Sequence, residues 1–229
     1  MEPKLIYLAR RNPALTRADF TARWRQHGAL GMSMPRWVNI RRYAHCDVQQ
    51  FGVDGVSEDY DGVGLIWHRS AEARARHRGD DGSQGQMVED EALTFAEPVY
   101  NSCLLAEESV LRSRGVGPVK LIHFIDRSKA ITGDAFALAW RRQYAPAMLQ
   151  ETASGDVLRY VQNHVLPPER PGGWGLRSDC VDEFWFESRE KAVAAFVAIN
   201  ALGKIEGELV SRSIWVATNE VILHDRPQP

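Results

Sequence analysis

The sequence predicts an α+β protein in which one β-α-β-β-α-β unit is built twice. Residues 4–30, KLIYLARRNPALTRADFTARWRQHGAL, return as KLIHFIDRSKAITGDAFALAWRRQYAPAM at 120–148, with Lys4, Leu5, Ile6, Arg11, Thr16, Phe20 and Trp24 matched by Lys120, Leu121, Ile122, Arg127, Thr132, Phe136 and Trp140 at a constant offset of 116. A repeat of that length is a folded module, not one layer of a solenoid. Within each copy, short alternating apolar runs flank stretches whose apolar residues recur at helical spacing. The 229 residues suffice for two such modules.

Residues 4–9, KLIYLA, are apolar on both strand faces, which marks an inner strand. Asn12-Pro13 breaks it, and Thr16 with Asp19 forms a helix-start pair. Phe20, Trp24 and His27 or Gly28 follow at helical spacing, placing two aromatics on the buried stripe and the histidine near its end, and Pro35 limits the helix. In the second copy Thr132 caps and Phe136, Trp140 and Tyr144 repeat the stripe. Strands are expected at 40–48 and 157–166, pairing Arg42-Tyr43 with Arg159-Tyr160. The Gly/Pro/Asp-rich stretches 51–60 and 167–179 then read as surface loops. Third strands follow at 62–68 and 181–187, with Trp67 matching Trp185, and Ser70 and Ser188 read as N-caps. The second helix of the later copy is expected over Arg189 to about Leu202, whereas EARARHR in the first copy dissolves into GDDGSQGQ. Fourth strands close each half at about 100–106 and 214–217. The expected boundaries are 1–111 for the first repeat, 112–118 for a Gly/Pro linker and 119–229 for the second repeat.

This order is the split β-α-β arrangement of the ferredoxin-like fold, with both helices on one face of a four-stranded antiparallel sheet. The other face needs cover, and two ferredoxin-like repeats packed sheet to sheet, as an intrachain α/β barrel, would supply it. Composition narrows the function. A net charge of −2 offers no field for nucleic acid or anionic lipid. Cys46, Cys103 and Cys180 are widely spaced and odd in number, which argues against a disulfide frame or zinc site. The N-terminus shows no basic-then-apolar leader and no run of apolar residues is long enough to span a bilayer, so a cytoplasmic protein without membrane partners is expected. No Gly-rich phosphate loop, H-E-x-x-H helix or nucleophile elbow appears.

Arg11, Leu15, Thr16, Phe20, Trp24, His27, Gly28, Leu30, Arg42, Tyr43, Asp61, Gly62, Val63 and Trp67 together resemble the EthD family of dimeric α/β barrel proteins. The second copy departs at Tyr144, where the family histidine would stand. The resemblance implies the barrel fold. It leaves activity open, because the superfamily includes cofactor-free cyclases, dehydratases, isomerases and oxygenases as well as haem enzymes.

Strand parity sorts the candidate site residues. With Ile6, Leu8, Ile122 and Phe124 on the helix-covered face, Tyr7 and His123 are expected inside the barrel, Tyr43 and His45 fall on one side with Tyr160, and Trp67 and Trp185 share a side with Glu183. The expected cavity is lined by Tyr7, His123, Tyr43, Tyr160, Trp67, Trp185 and Glu183. His27, His123, Tyr43 and Tyr7 are the expected catalytic groups. Tyr160, Trp67, Trp185, Glu183, His45 and Tyr144 are expected to bind substrate. Neutral imidazole can take a proton near pH 7 and a phenol can hydrogen-bond a developing oxyanion. Trp24, Trp140, Phe20 and Phe136 read as core. His45 and Asp47 share a strand face, yet no metal is expected there. These groups suit a cofactor-independent lyase, dehydratase, cyclase or isomerase acting on a hydrophobic, aromatic small molecule, with His27 at the cavity mouth as base and His123 as the alternative. A second reading is an oxidase, either cofactor-free or using haem on His123, His45 or His164. A third is a non-catalytic binding protein, and a homodimer remains compatible with all three.

Overall fold

A computed structural model describes residues 2–80, 82, 84–151, 156–169, 171–201, 207 and 209–226. Strand β1 (Pro3–Ala9) is buried along its length. The Thr16 hydroxyl then accepts from the Asp19 amide and starts α1 (Arg17–Ser33). Proline cannot continue a helix, and Pro35 opens a separate 3-10 turn, Pro35–Asn39. Strands β2 (Ile40–Val48) and β3 (Gly62–His68) follow, then α2 (Ala71–Arg78) capped by Ser70, α3 (Gln84–Thr94) and β4 (Cys103–Ser113). The second half runs through β5 (Val119–Arg127), α4 (Gly133–Ala139), a π turn at Trp140–Tyr144 and α5 (Ala145–Glu151). It continues with β6 (Arg159–Val165), β7 (Cys180–Phe186), α6 (Arg189–Ala201) and β8 (Val210–Asp225). The expected end of α6, Leu202, lies outside the described residues. The π turn accounts for a drift in the repeat. Trp24 matches Trp140 at an offset of 116 but Tyr43 matches Tyr160 at 117, and a π turn accommodates one inserted residue.

The expected fold, two ferredoxin-like repeats packed sheet to sheet, is corrected by the strand pairing. The eight strands form one closed antiparallel barrel in the order β1-β3-β2-β8-β5-β7-β6-β4, with the helices outside it. Closure comes from the fourth strands, which run well past their expected ends. β8 pairs with β5 from Val210 to Thr218 and with β2 from Thr218 to Asp225, and β4 pairs with β1 and then with β6 as far as Ser113. The segments EESVL (107–111) and NEVIL (219–223), beyond the expected strand ends, are therefore the barrel's seams, and closure leaves no open sheet edge. The expectation that the first half lacks a second long helix is corrected as well. Met87, Asp90 and Glu91 in α3 recur at helical spacing, and Met87 and Asp90 both turn toward α1.

The faces of β1 and β5 are the reverse of those the sequence suggested. Ile6, Leu8, Leu65, Trp67, Ile122, Phe124, Val181 and Val216 fill the barrel interior. Leu5, Tyr7, Phe20 and Trp24 pack together under α1, and Leu121, Phe136, Trp140, Tyr160 and Phe184 pack together in the second half. Both faces of β1 and of β5 carry buried apolar residues, so hydrophobicity alone could not assign them. No helix among the described residues is long and apolar enough to cross a membrane.

Candidate active site

A cavity of about 130 Å3 lies in the first half, between the outward face of the barrel wall and helices α1 and α3. An apolar void of about this size admits a single aromatic ring. Its wall includes Leu5, Ile66, Trp37, Met87 and Val99, and its polar groups are Tyr7, Tyr43, His27, Arg36, His77 and Glu91. Two glycines of α1 leave the room. A Cβ at Gly31 would meet Trp37 at 3.5 Å and Met87 at 3.9 Å, and one at Gly28 would press on Tyr43 at 3.2 Å. In the second half, Ala145 and Met148 stand at the corresponding places, Met148 is fully buried, and Tyr144 stacks on Trp140 with centroids 3.7 Å apart. Side chains fill the space there that glycines leave open in the first half.

One wall of the cavity is a hydrogen-bonded chain. Trp24 Nε1 donates to the Tyr7 hydroxyl at 2.9 Å, the Tyr7 and Tyr43 hydroxyls lie 3.3 Å apart, and the Tyr43 hydroxyl meets Nε2 of His45. Nδ1 of His45 lies 2.6 Å from the Arg25 guanidinium. Guanidinium only donates, so Nδ1 accepts and Nε2 carries the hydrogen given to Tyr43. Burial, and then the positive Arg25 and the neighbouring His27, push the His45 pKa well below its ordinary value. His45 is thus a neutral donor of fixed tautomer. Burial raises the Tyr7 phenol and puts the Tyr43 phenol well above its usual value, keeping both protonated. The proton count is specific. Tyr7 accepts from Trp24, Tyr43 accepts from His45, one phenolic hydrogen occupies the bond between them, and one remains to be donated to a ligand.

The opposite polar group is His27. Asp90 Oδ2 on α3 lies 2.6 Å from its Nδ1, and Arg23 pairs with the same carboxylate. The carboxylate holds the hydrogen on Nδ1 and leaves Nε2 as the nitrogen available to accept a proton. Burial lowers the His27 pKa and outweighs the opposing effect of Asp90, so the ring is neutral at pH 7. Burial likewise pushes His77 down to about 4, helped by Arg36, and pushes the Glu91 carboxyl up.

The structure therefore gathers three expected site residues, Tyr7, Tyr43 and His27, around one cavity, with His45 directly behind Tyr43. That cavity lies outside the barrel, which corrects the expected interior position of Tyr7. It does not bring the others there. His123 faces the second half's helices, fully buried and stacked on Trp215 with centroids 3.8 Å apart, which corrects its interior position too. Tyr160 donates to Asp182 at 3.0 Å and Tyr144 is packed on Trp140, both in that same half. Trp67, Trp185 and Glu183 lie inside the barrel, beyond the sheet from the cavity. Arg25 binds both His45 and Asp47, placing a guanidinium where a metal would have to sit. Sequence reading missed Arg25, Arg36, Asp90 and Glu91. Asp90 and Glu91 were legible only with α3 recognised, through their spacing from Met87.

The two halves solve one packing problem differently. In the first, the buried Trp24 N–H finds the Tyr7 hydroxyl, whose ring lies on Gly64, and a Cβ there would run into it. In the second, Asp182 stands at the position of Gly64 and accepts from both Trp140 and Tyr160 at 3.0 Å.

The histidines do not fit an axial haem ligand. Both nitrogens of His45 are engaged, His123 is enclosed against Trp215, and His164 has Nε2 on Gln162 at 3.2 Å with Nδ1 enclosed. The cavity at His27 is also far smaller than the pockets that hold drug-sized ligands.

No curated protein matches the chain in sequence. Solved structures share its fold at low identity. An anthrone oxidase-like protein aligns with a TM-score of 0.59 at 13% identity, covering 96% of this chain and 91% of its own. A proposed monooxygenase from Lactobacillus acidophilus gives 0.54 at 11% identity, covering 96% and 94%. A variant chlorite dismutase from Candidatus Nitrospira defluvii gives 0.54 at 11% identity, covering 95% and 91%. The family profile of the EthD domain matches residues 12–98, the segment that carries α1, α3 and most of the cavity wall. Residues 12–98 of this chain are thus similar to the EthD domain.

Proposed function

We propose that this protein is a small-molecule enzyme that removes a proton from a substrate about the size of one aromatic ring, using His27 as base and the Tyr7–Tyr43 pair as oxyanion donor. The observation that carries this is the neutral His27, held by Asp90, lining the same small cavity as a tyrosine pair with one hydrogen to give. Nε2 of His27 would accept a proton from a carbon or oxygen acid, and Asp90 would stabilise the imidazolium formed. The electrons left on the substrate would collect on an oxygen that takes the tyrosine hydrogen bond. Isomerisation or elimination can start from that enolate without a cofactor.

A second outcome has support from the fold shared with an anthrone oxidase-like protein and a proposed monooxygenase. Dioxygen, as co-substrate, would take the carbanion's electron pair to form a C–O bond and a hydroperoxide. Both outcomes share the first step. The test is exchange of the α-hydrogens of cyclohex-2-enone and of substituted single-ring ketones in D2O, followed by NMR alongside an oxygen electrode. The wild-type protein should accelerate exchange, with His27→Gln at background. Oxygen uptake dependent on His27 would select the oxidase outcome, and equal exchange in both proteins would remove His27 as base.

A further inference from the structure

The barrel interior holds an ionic cluster that the cavity chemistry does not use. Lys4 and Lys120, equivalent residues of the two halves, are both fully buried, and Glu183 pairs with both. Lys120 Nζ lies 2.6 Å from Glu183 Oε2, and Lys4 reaches the other carboxylate oxygen, which also accepts from Asn163 Nδ2 at 2.7 Å. Around this centre the arrangement is symmetric. Lys4 pairs with Glu108 at 2.8 Å and lies over Trp67, whose Nε1 donates to Glu108 at 3.0 Å. Lys120 pairs with Glu220 at 3.0 Å and lies over Trp185, whose Nε1 donates to Glu220 at 3.1 Å.

Glu183 breaks that symmetry, together with its partner Asn163, whose register counterpart in the first half is Cys46, 3.5 Å from Lys120 Nζ. Lys4 is the register partner of Trp67 and Ile6 of Leu65, and Lys120 is the partner of Trp185 and Ile122 of Glu183. Leu65 therefore stands where a second axial acid would be. Burial alone would raise the Glu183 carboxyl, but the two ammoniums outweigh it and hold it at about 2, so the carboxylate is charged at neutral pH.

We infer that the barrel is built for one axial carboxylate, and that Glu183 thereby keys the first half to the second half of the same chain rather than to a like half of another copy. Two first halves closing on each other would bring together two lysines, each still paired with its own Glu108, with Leu65 twice and no acid bridging the two ammoniums. Two second halves would bring two axial carboxylates together. The first mispairing leaves the two ammoniums unbridged and the second sets two carboxylates against one another out of water, where removing one member of a buried pair is already costly. The same count predicts that the carboxylate can be moved. A glutamate at position 65, related to Glu183 by the symmetry of the strand order, should reach the same two lysines.

The test is a cycle on the full chain with Glu183→Leu, Leu65→Glu and the combined Leu65→Glu/Glu183→Leu, read by thermal midpoint and by light-scattering mass. Zero or two axial acids should each lower the midpoint by about 10 °C. The combined variant, with one acid transferred, should recover most of that loss, which makes the effects strongly non-additive. Both single variants should also shift toward higher-mass species, and the combined variant should return to the wild-type mass. Additive losses, with the combined variant least stable or unable to fold, would overturn the inference. So would single variants whose mass distribution matches the wild type.

Discussion

Asp90 on α3 lies 2.6 Å from Nδ1 of His27 on α1, so the helix that closes the cavity also sets which nitrogen of its histidine can act. Asp90→Asn keeps the shape and removes the charge, and its amide N–H₂ can turn toward Nδ1 and favour the wrong tautomer. Turnover should fall by about 100-fold or more with little change in substrate KM, and the thermal midpoint should move far less. Nitrogen-15 spectra of His27 should show the tautomer change directly.

The two tyrosines can be told apart by what each hydroxyl leaves behind. Tyr43→Phe strands the His45 Nε2–H and Tyr7→Phe strands the Trp24 Nε1–H, both deeply buried. Each should cost about 1–3 kcal/mol in chemical denaturation as well as ligand affinity. The Tyr43 hydroxyl is costly to remove because it stands between Tyr7 and His45.

Gly31 sets the size of the cavity. Gly31→Met should reproduce what Met148 does in the second half, reducing affinity for single-ring ligands at least about 100-fold while the protein stays folded. Gly31→Ala meets only ordinary contacts at 3.5 Å and should keep binding. It should add up to about 1 kcal/mol from helix propensity. Loss of binding in both variants would show that the pocket has no spare volume.

Stability should fall with acid on the histidine side of the titration. His45, His68 and His123 are fully buried and their pKa values are depressed well below ordinary, chiefly by burial. The unfolded chain therefore binds protons that the folded chain refuses. Their contribution is complete above the unfolded pKa of about 6.5 and is lost as pH drops from there toward the folded values. Together they should remove about 4 kcal/mol per pH unit in that window, seen as a falling denaturation midpoint between pH 6.5 and 5.

Much of this architecture was legible because repetition is a strong signal. The caps at Thr16 and Thr132, the aromatic stripes and the inner strands all follow from residues that recur in register. Face assignment failed at Tyr7 and His123 because a closed barrel with helices outside buries both strand faces, and apolar alternation then carries no direction. The seams were missed because Glu108 and Glu220 lie beyond the expected ends of the fourth strands, in charged stretches, yet each is paired with a lysine inside the barrel. The cavity itself depends on Gly28, Gly31 and a helix of weak periodicity, features that leave space instead of a pattern.

A crystal structure of the protein soaked with 4-nitrophenol would locate the site most directly. The ring should lie between Leu5, Ile66 and α1, with the phenolic oxygen in hydrogen-bond reach of the Tyr7–Tyr43 pair and His27 Nε2 facing it. A ligand bound instead in the second half, in a cleft lined by His164, Trp174 and Asp179, or inside the barrel near Glu183, with the space over Gly31 empty, would contradict the assignment of the active site to the first half.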